Sequence, residues 1–154
     1  MQDDAVTRET GRVSANAAWE SLLAAHAALM REFAADDVWE DLSMKEYDVL
    51  YTLSKCTEPT RVGELNRHVL LSQPALSRLV DRLVDRGLVY RVADPSDGRG
   101  VRVGITEAGR QQQHRVGDRH GREVSRALRS RLTSDELARL QEICTKLADQ
   151  RPLI

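Results

Sequence analysis

The stretch LSQPALSRLVDRLVDRG, residues 71–87, constrains the fold of this chain more than any other. Ser72 is a good N-cap, and Pro74 is tolerated in a first helical turn. Leu76, Leu79, Val80, Leu83 and Val84 then recur every three to four residues, the period of a helix with one apolar face. Gly87 supplies the left-handed position that ends such a helix. The pattern predicts a short capped helix held against a core. Gln73, Ala75, Ser77, Arg78, Asp81 and Arg82 are left on its outward face.

What surrounds this helix narrows the choice further. A shorter helix is expected just before it, from about Val62 to Leu70, with Leu65 and Val69 facing inward. Two short helices joined by a few residues form a helix-turn-helix pattern. After Gly87, LVYRV and VRVGI read as two strands of a hairpin, with the polar turn ADPSDGRG between them. That reading puts Arg99 at the hairpin tip, between Gly98 and Gly100 and just after Asp97.

The remaining elements are helical. From about Arg12 to Ala35, apolar residues including Trp19, Leu22, Leu23, Leu29, Met30 and Phe33 recur with helical spacing and a broad apolar face. Residues 1–11 read as flexible. SMKE at 43–46 is a capping box, with a helix following to about Lys55; CTEPT at 56–60 reads as a connection. Thr106 caps a long helix to about Arg131. Thr133 and Glu136 open a last one to about Gln150. The fold class is therefore mainly α with a small β-wing: a winged helix-turn-helix over about 43–106, flanked by helices over about 12–35 and 107–150. Together they make a single domain over 12–150, a reasonable size for one core.

Composition agrees. Aromatics are 4% of the 154 residues, so the core must be aliphatic. No run approaches the roughly 18 consecutive apolar residues of a membrane span, and the polar start MQDDAVTRETGRV lacks the apolar stretch of a signal peptide. A cytoplasmic location is expected. Cys56 and Cys144 form no CxxC pair and read as two free, mostly buried thiols. Charge is unevenly spread. Residues 1–60 carry five basic and twelve acidic side chains, residues 61–102 eight and five, and residues 103–154 ten and seven. A net charge of −1 thus permits a local anion-binding surface within a nearly neutral chain.

These features suit duplex DNA. The major groove, about 12 Å wide, admits one helix whose N-terminal side chains reach base edges. Ser72, Gln73, Ala75, Ser77, Arg78 and Arg82 are the candidate contacts, and Ser72 and Gln73 stand where free N–H groups favour phosphate. A hairpin beside the helix reaches the neighbouring minor groove, whose negative potential favours an inserted Arg99. Asp97 is expected to hold that guanidinium by a charge-assisted hydrogen bond. The chain has no GxSxG, P-loop or HExxH motif and no Cys/His cluster, so neither an enzyme nor a metal or cofactor site is expected. His114 and His120 are six apart, off the spacing that puts two ligands on one helix face.

DGRGVRVGITEAG, residues 97–109, resembles the wing signature of the multiple-antibiotic-resistance regulator (MarR) family, roughly D-x-R-x-x-x-V-x-L-T-x-x-G. Asp97, Arg99, Val103, Thr106 and Gly109 match, with Ile105 at the Leu position. SQPALSRLVDRLVDRGLVYR (72–91) resembles that family's recognition helix and first wing strand, and LSMKEYDVL (42–50) its second helix. The resemblance spans about Arg12 to Gln150. It implies a homodimeric repressor whose first and last two helices pair across a two-fold axis, bound to an inverted-repeat operator. It also implies release by a small aromatic or phenolic effector held between dimerisation helices and DNA-binding lobe. The matching region holds Arg12, Trp19, His26, Met30, Trp39 and Tyr47. The family's peroxide sensors use a cysteine in the first helix, and none precedes Cys56 here. Cys56 follows a helix C-terminus, where the dipole opposes a thiolate. Two alternatives remain: a winged helix used for protein–protein interaction, and a redox-responsive regulator acting through Cys56.

Overall fold

Helix starts follow the capping chemistry of the sequence. A computed structural model describes residues 14–69 and 71–148. The first helix, α1, spans Ala15–Ala34, and Ser14 accepts from the Ala17 N–H at 3.1 Å. The second, α2, spans Met44–Lys55 behind a complete capping box: Ser43 Oγ accepts from the Glu46 N–H and Glu46 accepts from the Ser43 N–H. The fifth, α5 (Glu107–Arg129), starts at Thr106, and the sixth, α6 (Ser134–Ala148), at the reciprocal Thr133–Glu136 pair. The described backbone falls into two compact units that divide after Asp36, α1 belonging to the first and the other elements to the second. No helix of the described residues is long and apolar enough to cross a membrane.

The helix-turn-helix is shorter at its first limb than the sequence suggests. Helix α3 covers only Val62–Leu65. Beyond it the N–H groups of Arg67 and His68 bond to carbonyls three residues back, tightening the chain into turns. A β-branched residue and a glycine in a four-residue helix leave too little propensity to propagate it. Helix α4 spans Gln73–Asp85. Ser72 accepts from the Ala75 N–H, and Gly87 takes φ +70° as the helix ends. The bonds Gly87 N–H to Val84 O and Leu88 N–H to Leu83 O close a Schellman motif. They turn the chain directly into the next strand.

The wing is a three-stranded antiparallel sheet rather than a two-stranded one, ordered β1-β3-β2. Strands β2 (Val89–Asp94) and β3 (Asp97–Ile105) form the hairpin, and the short β1 (Thr60–Arg61) pairs with Val103 and Arg102. Two residues cannot display a strand's alternation, so Thr60 reads in the sequence as part of a connection. The core of the second unit lies under α2, α4 and the sheet: Val49, Leu50, Leu76, Val80, Leu83, Val103 and Val116 are fully buried.

Candidate nucleic-acid interface

The apolar stripe of α4 dictates what the helix shows to solvent. Leu76, Leu79, Val80 and Leu83 are buried, so the opposite face is turned out. Ser72, Gln73, Ser77, Arg78 and Arg82 are exposed and Ala75 is half-buried. Arg78 makes no ion pair among the described residues. Arg82 does: its Nε lies 3.6 Å from Glu46, whose buried carboxylate also faces Arg86 at 3.6 Å. Glu46 thus joins the start of α2 to the C-terminal half of α4. Two arginines balance its charge, as a buried carboxylate requires.

The sheet stands beside this face. Arg91, on β2, pairs with Asp81, on the outward side of α4. The two groups are ten residues apart in sequence, and the bond brings helix and wing to one surface.

The hairpin tip differs from the sequence reading. The turn is the pair Pro95–Ser96, closed by Asp94, which accepts from the Ser96 N–H at 3.0 Å and from its hydroxyl at 2.8 Å. Arg99 is therefore not at the tip. Asp94 faces Asp97 and Ala93 faces Val101, so Gly98, Arg99 and Gly100 form an unpaired bulge on β3. Arg99 is exposed there and makes no ion pair among the described residues. Asp97 does not grip its guanidinium. Asp97 Oδ1 instead accepts from the Arg99 backbone N–H at 3.1 Å, because a carboxylate two residues ahead reaches the main chain before it reaches a long side chain. The outcome still favours a presented arginine: the backbone is fixed and the charged head is left outward.

Behind the bulge is a cluster that local sequence reading misses. The Asp94 side chain is fully buried and pairs with Arg61 of β1. Arg102 of β3 places its Nε 3.1 Å from Asp94, near enough for charge attraction although its N–H is not aimed along a hydrogen bond. The Ser96 N–H, then Arg61 and the Ser96 hydroxyl, outweigh burial and hold the Asp94 carboxyl well below the usual range. Only the Asp94–Ser96 turn has a local signature.

The residues proposed for an effector are divided. Arg12 lies outside the described residues. Trp19 and His26 are exposed on α1, and Met30 is half-buried. Trp39 and Tyr47 belong to the second unit, where both are buried with ring centroids 5.5 Å apart; each also packs on His120. Burial pushes the Tyr47 hydroxyl up, with a hydrogen bond to Gln113 opposing. Of the thiols, Cys56 is half-buried and donates to the Thr52 carbonyl at 3.5 Å, whereas Cys144 is exposed, contrary to expectation. The reason is that α6 buries no residue within this chain.

A capped helix in a helix-turn-helix, flanked on one surface by a hairpin wing, defines the winged-helix class of DNA-binding regulators. Comparison with known proteins narrows this. Residues 40–100 match the MarR family. The multiple antibiotic resistance protein MarR of Escherichia coli is 31% identical over 107 residues, 70% of this chain and 74% of that one. Among solved structures, Sco3205, a MarR family transcriptional regulator from Streptomyces coelicolor in complex with DNA, superposes with TM-score 0.74 at 27% identity, over 94% of both chains. PcaV, a transcriptional regulator from the same organism in complex with its natural ligand, gives 0.65 at 25%, over 97% of this chain and 99% of that one. The chain belongs to the MarR family and is a transcriptional regulator, not an enzyme.

Proposed function

We propose that this regulator is a homodimeric repressor that lays α4 in the major groove of an inverted-repeat operator and Arg99 in the adjacent minor groove. Ser72, Gln73, Ala75, Ser77 and Arg78 carry the helix contact. Asp97 supports the wing contact through the Arg99 backbone. Arg82, shared with Glu46, serves the phosphate backbone. The observation that carries the reading is the Asp81–Arg91 pair, which sets wing and helix side by side with Arg78 and Arg99 exposed and making no ion pair among the described residues. The DNA complex of Sco3205 supports it.

Release is proposed to follow binding of a small aromatic or phenolic ligand. The ligand acts by favouring a spacing of the two DNA-binding lobes that DNA does not accept. Trp19, His26, Met30, Trp39 and Tyr47, with Arg12, are the residues proposed for it. Support comes from the ligand complex of PcaV and from the aromatic character of Trp39 and Tyr47.

The test is retention of genomic fragments by the protein, followed by sequencing and titration of the selected duplex at several salt concentrations. Affinity should fall steeply with salt as phosphate contacts release counterions. Arg99→Ala should weaken binding about tenfold and lower the salt slope by about one, with the fold unchanged. Salt-independent binding to another protein and no selected duplex would instead favour an interaction module.

A further inference from the structure

A two-stranded ribbon is marginally stable by itself in water, and β1 adds only two paired residues to this one. The Asp81–Arg91 pair and the buried Val89, Val103 and Ile105 hold the base of the wing, which leaves its turn and the Arg99 bulge to be held by a further contact. The Asp94 cluster is placed to do so. Arg61 is the N-cap residue of α3, the entrance to the helix-turn-helix. Its Nε donates to Asp94 and its terminal nitrogen to Ser96 Oγ at 3.2 Å, so one side chain spans from the first limb of the motif to the wing turn. Arg102 approaches the same carboxylate and reaches the Pro59 carbonyl at 3.5 Å. The cluster also touches the bulge: a Cβ built on Gly100 would lie 3.0 Å from Asp94 Cβ, so the Arg99 loop is seated directly against it.

We propose that Asp94 is a positioning residue for DNA binding: by gathering Arg61, Ser96 and Arg102 on one buried carboxylate, it locks the wing to the helix-turn-helix and fixes the bulge that presents Arg99. The inference rests on the reading of Arg99 as a DNA contact. It also has a sign that electrostatics alone does not give. Asp94 is an acid close to a surface that meets a polyanion. Replacing it with a neutral residue raises the local positive charge, which by itself strengthens DNA binding. Positioning requires the opposite. Loss of the carboxylate frees both arginines and the turn, and the wing contact is spread over many orientations.

The experiment titrates a duplex cut from the genomic fragment that the wild-type protein retains, with a scrambled duplex as control. The proteins are wild type, Asp94→Asn, Arg99→Ala and the double variant, each checked by circular dichroism and thermal melting. Asp94→Asn should weaken binding to the selected duplex about tenfold, and the double variant should bind as Arg99→Ala does, because both changes remove one contact. Ser96→Ala deletes a single hydroxyl and leaves every charge. It should give a smaller loss that likewise vanishes in the Arg99→Ala background, and it stands in if Asp94→Asn does not fold. Asp94→Asn binding as tightly as wild type or more tightly overturns the proposal, as does a loss that adds in full to that of Arg99→Ala. If Arg99→Ala itself binds as wild type, the assignment of Arg99 falls and takes this proposal with it. A weakened Arg99→Ala beside an unimpaired Asp94→Asn removes the positioning role alone.

Discussion

Asp48, on α2, is half-buried, and burial pushes its carboxyl up from the ordinary value of 3.8, with the charge of His120 opposing. A carboxyl that is harder to ionise in the folded chain costs stability wherever it is charged. The cost is absent below the unfolded value, grows as pH rises towards the folded one, and is fully present at neutral pH. Asp48→Asn should therefore melt at a higher temperature than wild type at neutral pH. The gain should shrink to nothing in acid below 3.8, where the native carboxyl is neutral in both states. Thermal melts at about pH 3 and about pH 7 check this; an advantage that persists unchanged in acid would mean that packing, not charge, is the cause. Asp94 is the opposite case. Its carboxyl is held below the ordinary value, so the stability it contributes is present above the unfolded value and is lost only in strong acid.

Elements were legible where their information is local. The bounds of α4 follow from Ser72, a repeat of leucines and valines, and Gly87, all within one stretch of chain. The capping boxes at Ser43 and Thr133 are likewise complete within four residues. What was not legible depends on distant partners. Nothing near Thr60 announces a strand, because its pairing residue is Val103. Nothing near Arg61 announces an ion pair, because Asp94 is 33 residues away. The position of Arg99 failed for a subtler reason: several turns fit ADPSDGRG, and the Asp94–Ser96 bonds select one of them. Gly109 lies between these cases, since the family pattern marks it but only the fold explains it. The Thr106 N–H donates to the Leu88 carbonyl, and the Thr106 hydroxyl donates to the Gly87 carbonyl and accepts from the Gly109 N–H. That knot brings the first turn of α5 onto the end of the α4–β2 connection. A Cβ at Gly109 would lie 2.1 Å from the Leu88 carbonyl oxygen, a main-chain atom already committed to Thr106. Gly109→Ala should cost about 1–3 kcal/mol, the range for overpacking a tight site, read as a lower urea midpoint at unchanged slope. Gly121→Ala, on the same helix with nothing within 4 Å of its Cβ, should be neutral or stabilising and serves as the control.

At the scale of the molecule, apolar surface is left over. Helix α6 buries no residue in this chain, and Leu140, Ile143 and Leu147 are 39%, 48% and 67% exposed. On α1, Trp19 is 58% exposed, with Leu22 and Leu23 also open to solvent. Single exposed apolar residues are ordinary, but a helix with an apolar repeat and no buried face is not. The sequence shows the same excess in Leu137, Leu140, Ile143, Cys144 and Leu147, and the proposed dimer accounts for it by covering the stripe with a second copy. A charge placed in that stripe should act on assembly before it acts on the fold, since the side chain it replaces is half-exposed in the single chain. Ile143→Glu should sediment as a monomer at concentrations where wild type is a dimer, with its helix content retained. Its affinity for the selected duplex should fall much further than that of Arg99→Ala, because two DNA-binding lobes joined in one particle bind with the benefit of effective concentration and two separate ones do not. A dimer that survives Ile143→Glu with full operator affinity would move the interface away from α6 and leave its exposed leucines without a role in assembly.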